Sequence, residues 1–402
     1  MGQDRYDAIV VGARCAGSPT AMLLARKGYR VLVVDRAKFP SDTTSTHLVH
    51  PPGVSALNRW GLLDRLTATE CPPIDTYSFD FGPFTLAGAP GTDDSPVAYC
   101  PRRTVLDKLL VDAASEAGAE VREEFTVTEI VIEDGRVAGI RGHDKGGEIV
   151  TELADVVVGA DGRYSRVAKA VGPEQYNERP QILCGYYTYW SDLPNAGTFE
   201  VYTRTRRGWA AAPTHDGLTL VVVGWPFDEF DANKDDVEGN YMKMFEDAPE
   251  FADRIRGAKR EARFAGTAVE NFFRKPYGPG WALVGDAGYN KDFVTAMGIT
   301  DAFRDAELCA TALDHSFSDP RSFETAMEEY QATRDEHVLP MYEFTCEVAT
   351  LEPPPPEMQQ LFGAIHGNQD AMDGFARVNA GVTSPAEFFS DQNIGRIFAA
   401  AT

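Results

Sequence analysis

At 402 residues, 43% apolar and 25% charged, the sequence has room for two to three domains and the balance of an ordinary globular protein. Its 38 basic residues against 61 acidic ones leave a net charge of −23, which argues against nucleic acid or an anionic membrane as partner. No apolar run reaches the roughly 18 residues of a membrane span, no signal-peptide core opens the chain, and six scattered cysteines without a C-x-x-C pair suit neither a zinc site nor a disulfide framework, so the expectation is a cytoplasmic protein with reduced thiols and no metal.

Tyr6 to Arg36 reads as strand, tight turn, helix, strand. Ala8 to Val11 is an apolar, β-branched run of the kind buried on both faces of a sheet. Gly12 to Gly17 forms the turn, Pro19 to Lys27 continues as a helix, and Gly28 ends it. Val31 to Val34 is a second buried strand, closed by Asp35, 23 residues after Gly12. That is the pattern of a dinucleotide-binding βαβ unit, in which a pyrophosphate sits on the helix N-terminus and an acid takes the ribose hydroxyls. One position departs from it: the middle glycine of the turn is Arg14. Were Arg14 to hold a positive φ, the strain would be about 1–2 kcal/mol, and a guanidinium–phosphate bond would offset about 1.5–3 kcal/mol. Taken alone, the damaged motif fits a βαβ unit that binds nothing equally well.

Phe39 to His47 is a loop rich in hydroxyls, suited either to line a cofactor or to plain turn and cap chemistry. His47 stands out among the seven histidines for its place beside the nucleotide fold. Val54 to Leu63 is a short helix broken near Gly61. Residues 76–100 alternate aromatic and polar side chains as antiparallel strands, and Val105 to Ala117 is an amphipathic helix. Val121 to Ile140 reads as a hairpin turning at Glu133–Arg136. Ala154 to Gly159 is a buried strand ending in Gly159-Ala160-Asp161-Gly162, with a helix capped near Ser165. Residues 181–225 are strand-rich and aromatic on one face, including Tyr187 and Trp225; the sheet is either covered, with Asn240 to Phe251 as the covering helix, or the wall of an aromatic pocket. Trp281 to Asp286 is a strand ending in Gly285-Asp286, and Thr295 to Ala302 starts a long helix running to about Leu313; taken alone this is a plain strand-turn-helix, and otherwise a second cofactor contact in which the amides of the helix N-terminus face any developing negative charge. Helices over 320–351 and 358–379 flank the stiff Pro353–Pro356 break, and Pro385 and Gly395 punctuate the tail.

Gly12…Gly17 with Asp35, Gly159-Ala160-Asp161-Gly162, and Gly285-Asp286-Ala287, in this order and spacing, resemble the FAD-dependent single-component monooxygenases of the para-hydroxybenzoate hydroxylase type. The wider group includes flavin-dependent halogenases and geranylgeranyl reductases. The resemblance spans about residues 5–315. It implies an α/β fold: a Rossmann-type, glutathione reductase-like FAD-binding domain (1–75, 101–180 and 260–318) interleaved with a mainly antiparallel β-sheet substrate domain (76–100 and 181–259), and a helical C-terminal part (319–402).

Position by position, the resemblance implies that Gly12, Arg14, Ala16 and Gly17 shape the pyrophosphate turn. Asp35 with Arg36 would hold the adenosine ribose, Arg103 would reach the ribityl-phosphate region, and Val127 would contact adenine through its backbone. Asp161 would touch FAD and serve NAD(P)H binding, Gly285 and Asp286 would bond the ribityl chain, and Gly298 and Ile299 would offer amides to the flavin. His47, Tyr187, Trp225 and Phe293 are the candidate substrate contacts, Phe293 standing where the family has a proline beside the flavin ring. The chemistry would be borne by the flavin: NADPH or NADH as transient reductant, molecular oxygen adding to give a C4a-hydroperoxide, and hydroxylation of an aromatic or polycyclic small molecule by a monomer or homodimer. A halogenase, a C=C reductase of the same fold, or a non-catalytic flavoprotein binding an aromatic ligand are the competing readings; the Trp-x-Trp-x-Ile-Pro motif of tryptophan halogenases is absent, as is a second glycine-rich nucleotide domain.

Overall fold

The computed structural model describes residues 5–319 and 323–401. Tyr6–Val11 and Val31–Val34 pair in parallel, Val11 opposite Val34. Ile149–Gly159 lies on the other side of Tyr6–Val11, also parallel, with Gly159 opposite Val11. Trp281–Leu283 extends the sheet next to it, Leu283 opposite Gly159. Four parallel strands therefore end along one edge, and the residues that follow them (Gly12, Asp35, Ala160 with Asp161, and Gly285 with Asp286) share that edge. It is the carboxyl edge, where open α/β sheets take their ligands. These strands do not alternate in polarity because both faces are covered. Gly17–Arg26, Arg103–Glu116 and Gly298–Ser318 pack on one face, and the hairpin Thr126–Glu133 with Arg136–His143 packs on the other.

The hairpin expected over 121–140 is therefore shorter at its start. Glu120–Arg122 instead joins the main sheet beside Val31–Val34, and the turn is Asp134–Gly135, both with positive φ, as a tight hairpin turn between right-twisted strands requires.

The second sheet runs Leu183–Ser191, Thr219–Pro226, Arg207–Pro213, Thr198–Arg204, Thr76–Asp80, Thr85–Gly88. It is antiparallel except where Thr198–Arg204 meets Thr76–Asp80. One face buries Trp190, Trp209 and Trp225 beneath Tyr241, Phe245 and Phe251. The helical cover expected at 240–251 is thus present but divided into Val237–Lys243 and Pro249–Arg256. Pro249 has no N–H to continue a helix and starts a new one.

At the C-terminus Phe323–Val348 is one helix; the expected start at Pro320 lies outside the described residues. The single helix expected over 358–379 is two, Pro356–Ile365 and Gln369–Asn379. The break falls at Gly367, whose φ of 84° ends the first, and the Asn368 side chain caps the second through Ala371 N. Gly395, expected to interrupt the tail, lies inside the helix Asp391–Ala400. This helical part packs Phe375 against Phe79 on a far strand of the second sheet, and Phe362 against Phe81 in the turn that follows it.

Candidate functional site

Between the carboxyl edge of the first sheet and the near face of the second lies a cavity of about 710 Å³. Gly12, Arg14, Ala16, Asp35, Arg36, Arg103, Val127, Asp161, Gly285, Asp286, Gly298 and Ile299 all line it, and Tyr187 and Phe293 line it from the second sheet's side. Three of the expected residues do not: Gly17, His47 and Trp225 are buried elsewhere.

The turn after the first strand is built by contact between backbones. A Cβ on Gly12, whose φ is 104°, would stand 2.4 Å from the Ala160 carbonyl oxygen, and one on Gly17 would stand 1.7 Å from the Gly12 oxygen. Gly17 thus shapes the turn from below without facing the cavity. Arg14 does not take a positive φ, so the strain weighed from the sequence does not arise. Its guanidinium pairs with the Asp107 carboxylate and donates to Ser41 Oγ at 2.9 Å, pinning the hydroxyl-rich loop. The other Asp107 oxygen accepts from Arg103 Nε at 3.0 Å and Nη2 at 2.9 Å. Asp107 is fully buried, so one carboxylate fixes two cavity arginines. Sequence reasoning missed it; its signal is the i, i+4 spacing from Arg103 on one helix face.

Asp35 accepts backbone N–H bonds from Ala13 at 2.8 Å and Ala37 at 2.7 Å, which hold the carboxylate at the strand tip. Asp161 accepts from Ser165 Oγ at 2.5 Å and from Arg166 N at 2.6 Å, capping the helix Arg166–Val171, and burial pushes its carboxyl up. Asp286 differs from both. Its carboxyl accepts no hydrogen bond among the described residues, the residue is exposed and lines the cavity, and desolvation raises its pKa against the pull of Arg103 and Lys291. Gly298 opens the 21-residue helix with its N-terminus at the cavity, and a Cβ there would meet nothing within 4 Å. Lys291, also unassigned by the sequence, pairs with Asp301 in the helix's first turn. Burial alone would raise Asp301; Lys291 and Arg304 override it and hold the carboxyl at about 2.

On the opposite wall, strand alternation decides which aromatics face the cavity. Trp225 pairs with Cys184, and Tyr187, three residues beyond Cys184, points to the other side of the sheet. Tyr187 lines the cavity; Trp225 is buried in the helix-covered cluster. His47 lies fully buried behind that wall with φ 63°, its ring edge-on to Tyr187 at 5.5 Å. Its Nδ1 is 2.7 Å from the Ser45 carbonyl and its Nε2 is 2.7 Å from the Tyr189 hydroxyl. Since a carbonyl only accepts, Nδ1 carries the proton and Nε2 accepts from Tyr189. Burial lowers the imidazole to about 4, so it is neutral.

This donor set suits FAD. The strand tips approach closely enough that side chains are excluded at Gly12 and Gly17, one carboxyl is left without a protein partner, and a helix N-terminus opens on clear space.

A family model described as "FAD binding domain" matches residues 5–345. "Protein FixC" of Salmonella typhi is 32% identical over 193 residues, 46% of this chain and 43% of the relative, so the match spans less than half the length of that relative. "Digeranylgeranylglycerophospholipid reductase 1" of Methanopyrus kandleri is 25% identical over 362 residues, 87% of this chain and 91% of that protein. Among solved structures, the flavin-dependent brominase Bmp2 superposes with a TM-score of 0.81 at 17% identity, covering 98% of both chains, a likeness of fold.

Proposed function

The chain belongs to the FAD binding domain family, and on that premise we propose that it is a FAD-dependent monooxygenase acting on a small planar aromatic or polycyclic molecule, with NADPH or NADH as transient reductant and molecular oxygen as co-substrate. The observation that carries this reading is that one cavity of about 710 Å³ joins the cofactor-type strand tips to the aromatic wall of Tyr187 and Phe293. In this reading residues 1–75, 101–180 and 260–318 serve the cofactor, 76–100 and 181–259 the substrate.

Bound FAD would supply the acceptance of hydride and the activation of oxygen. The protein's part is positioning and electrostatics. Asp35 takes a ribose, and Arg103, held by Asp107, meets the phosphate side. Asp286 accepts from the cofactor's hydroxyls. The amides of Gly298 and Ile299 face the pole where negative charge gathers. Tyr187 and Phe293 exclude water from the reacting space, and neutral His47 anchors Tyr189 behind them.

The test is anaerobic mixing of the FAD-loaded protein with NADPH or NADH, with and without phenols and bicyclic aromatics. Flavin bleaching accelerated by an aromatic, followed in air by an ¹⁸O-labelled product from ¹⁸O₂, supports the reading. A product that depends on added bromide or chloride would turn it toward a halogenase, and bleaching with no oxygen uptake toward a reductase. The second of these has one observation in its favour: the relative covering most of the chain bears a reductase's name.

A further inference from the structure

On the cavity side of the second sheet three glycines stand in a row across adjacent strands: Gly185 pairs with Gly224, and Gly224 with Gly208. Directly paired residues project to the same side, so the row presents bare peptide. The next rung of the same face is Tyr187, Val222 and Ala210, of which Tyr187 and Val222 line the cavity. Two side chains lie on the glycines. A Cβ on Gly185 would stand 2.6 Å from Phe293 Cζ, and one on Gly208 would stand 3.2 Å from Leu351 Cδ2.

Gly224, the middle of the row, is different. A Cβ there would lie 3.7 Å from both Phe293 and the Cys184 oxygen, an ordinary contact, and its φ is not positive. Neither packing nor backbone demands glycine at Gly224. Glycine inside a strand weakens it and marks a place where something approaches closely. Phe293 meanwhile is half-buried, with one edge on the row and another on the cavity.

The backbone beneath Phe293 is fastened to the sheet. Asp292, 2% exposed, accepts from Leu183 N at 3.1 Å and Val294 N at 3.0 Å, and its own N–H donates to Asn271 Oδ1 at 2.6 Å. Leu183 opens the strand that carries Gly185. The turn is thereby held in place while the Phe293 ring has no polar tether.

We infer that Phe293 is a plug: it fills the seat over Gly185 and Gly224 that a planar aromatic ring of the substrate takes when the phenyl group swings aside, and its bulk limits what the seat admits. The inference rests on the cavity being the substrate site. It assigns specificity to Phe293 and the seat to the glycine row, and it makes the substrate's inserted portion a flat ring without substituents on its two faces.

Equilibrium binding of indole and 1-naphthol to the FAD-loaded protein, read by flavin absorbance and by dialysis without nicotinamide, tests it. Phe293→Ala opens the seat and tightens 1-naphthol by about tenfold or more, as apolar cavities accept aromatic guests. Phe293→Leu, which keeps apolar contacts on the turn, shows a smaller gain and carries the test if the alanine variant does not fold. Adding Gly224→Val to either variant refills the seat and abolishes the gain. Unchanged affinity in both Phe293 variants, or a gain that survives Gly224→Val, overturns the plug. Because no turnover is involved, a protein that binds in this pattern yet never consumes NADPH or NADH would sink the monooxygenase reading and leave the plug standing.

Discussion

The Tyr189 hydroxyl donates to His47 Nε2 across 2.7 Å, and both groups are buried behind the cavity wall. Protonating His47 would take away the lone pair that Tyr189 uses and place a charge on a fully buried ring. His50 is built on the same plan: its Nδ1 is 2.8 Å from the Tyr77 hydroxyl and its Nε2 is 3.1 Å from the Thr295 carbonyl. Burial lowers both rings from 6.5 to about 4.

The folded state therefore binds fewer protons than the unfolded chain between pH 6.5 and 4. The stability owed to each neutral ring is complete above pH 6.5 and is lost as pH falls through that window, by about 2 kcal/mol per histidine at pH 5. Asp292 and Asp305, raised by burial to about 7 and about 6, act in the opposite sense over nearly the same range. The comparison that isolates the histidines is His50→Gln against the parent in urea titrations at pH 7 and pH 5. The variant is weaker at pH 7 but loses less on acidification; equal losses would refute the assignment.

Asp107 holds Arg14 and Arg103 from a fully buried position. Asp107→Asn keeps the shape and removes the charge, leaving two guanidinium groups without their counterion. A loss of about 3 kcal/mol is expected, together with weaker FAD binding, because both arginines stand on the cavity wall. Thermal melts of the apoprotein and FAD titrations measure the two effects separately.

Asp286 gives the opposite signature. Its carboxyl lines the cavity, has no hydrogen-bond partner among the described residues, and has a pKa raised by desolvation. Asp286→Asn should leave apoprotein stability unchanged or slightly higher. Loss of a charge-assisted bond of about 1.5–3 kcal/mol would weaken FAD roughly tenfold to a hundredfold. A variant that binds FAD as the parent does would remove Asp286 from the cofactor site.

Gly17 and Gly298 form a contrasting pair. Gly17→Ala places a methyl 1.7 Å from a backbone oxygen and separates the strand tips, costing about 3 kcal/mol or more. Gly298→Ala meets open space and stays within about 0.5 kcal/mol of the parent in the apoprotein. Chemical denaturation of both variants decides the matter.

Much of the fold is legible in the chain order of residues. The parallel strands announce themselves because a strand buried on both faces must be a continuous apolar run, and their tips because a turn that brings backbones together must use glycine, as at Gly12 and Gly17. Twelve of the residues read toward the cofactor do reach the cavity; all but Val127, which lies at the start of the strand Thr126–Glu133, follow a strand end or stand at a helix start, where the chain's local order fixes their place.

What the amino-acid order left open is which faces meet. Tyr187 and Trp225 looked alike as aromatics in one strand-rich stretch; register across Leu183–Ser191 and Thr219–Pro226 turned one to the cavity and the other to the helices. Arg14 reads as tolerable in the turn, with a phosphate as one possible partner, and the order of residues carries no sign that Asp107, 93 residues on, pairs with its guanidinium. Glycines at 185, 208 and 224 carry no signal one by one and become a surface only when three strands align them. Local geometry follows from neighbours in the chain, and the partners of a side chain follow from contacts between distant segments, which only the packed molecule decides.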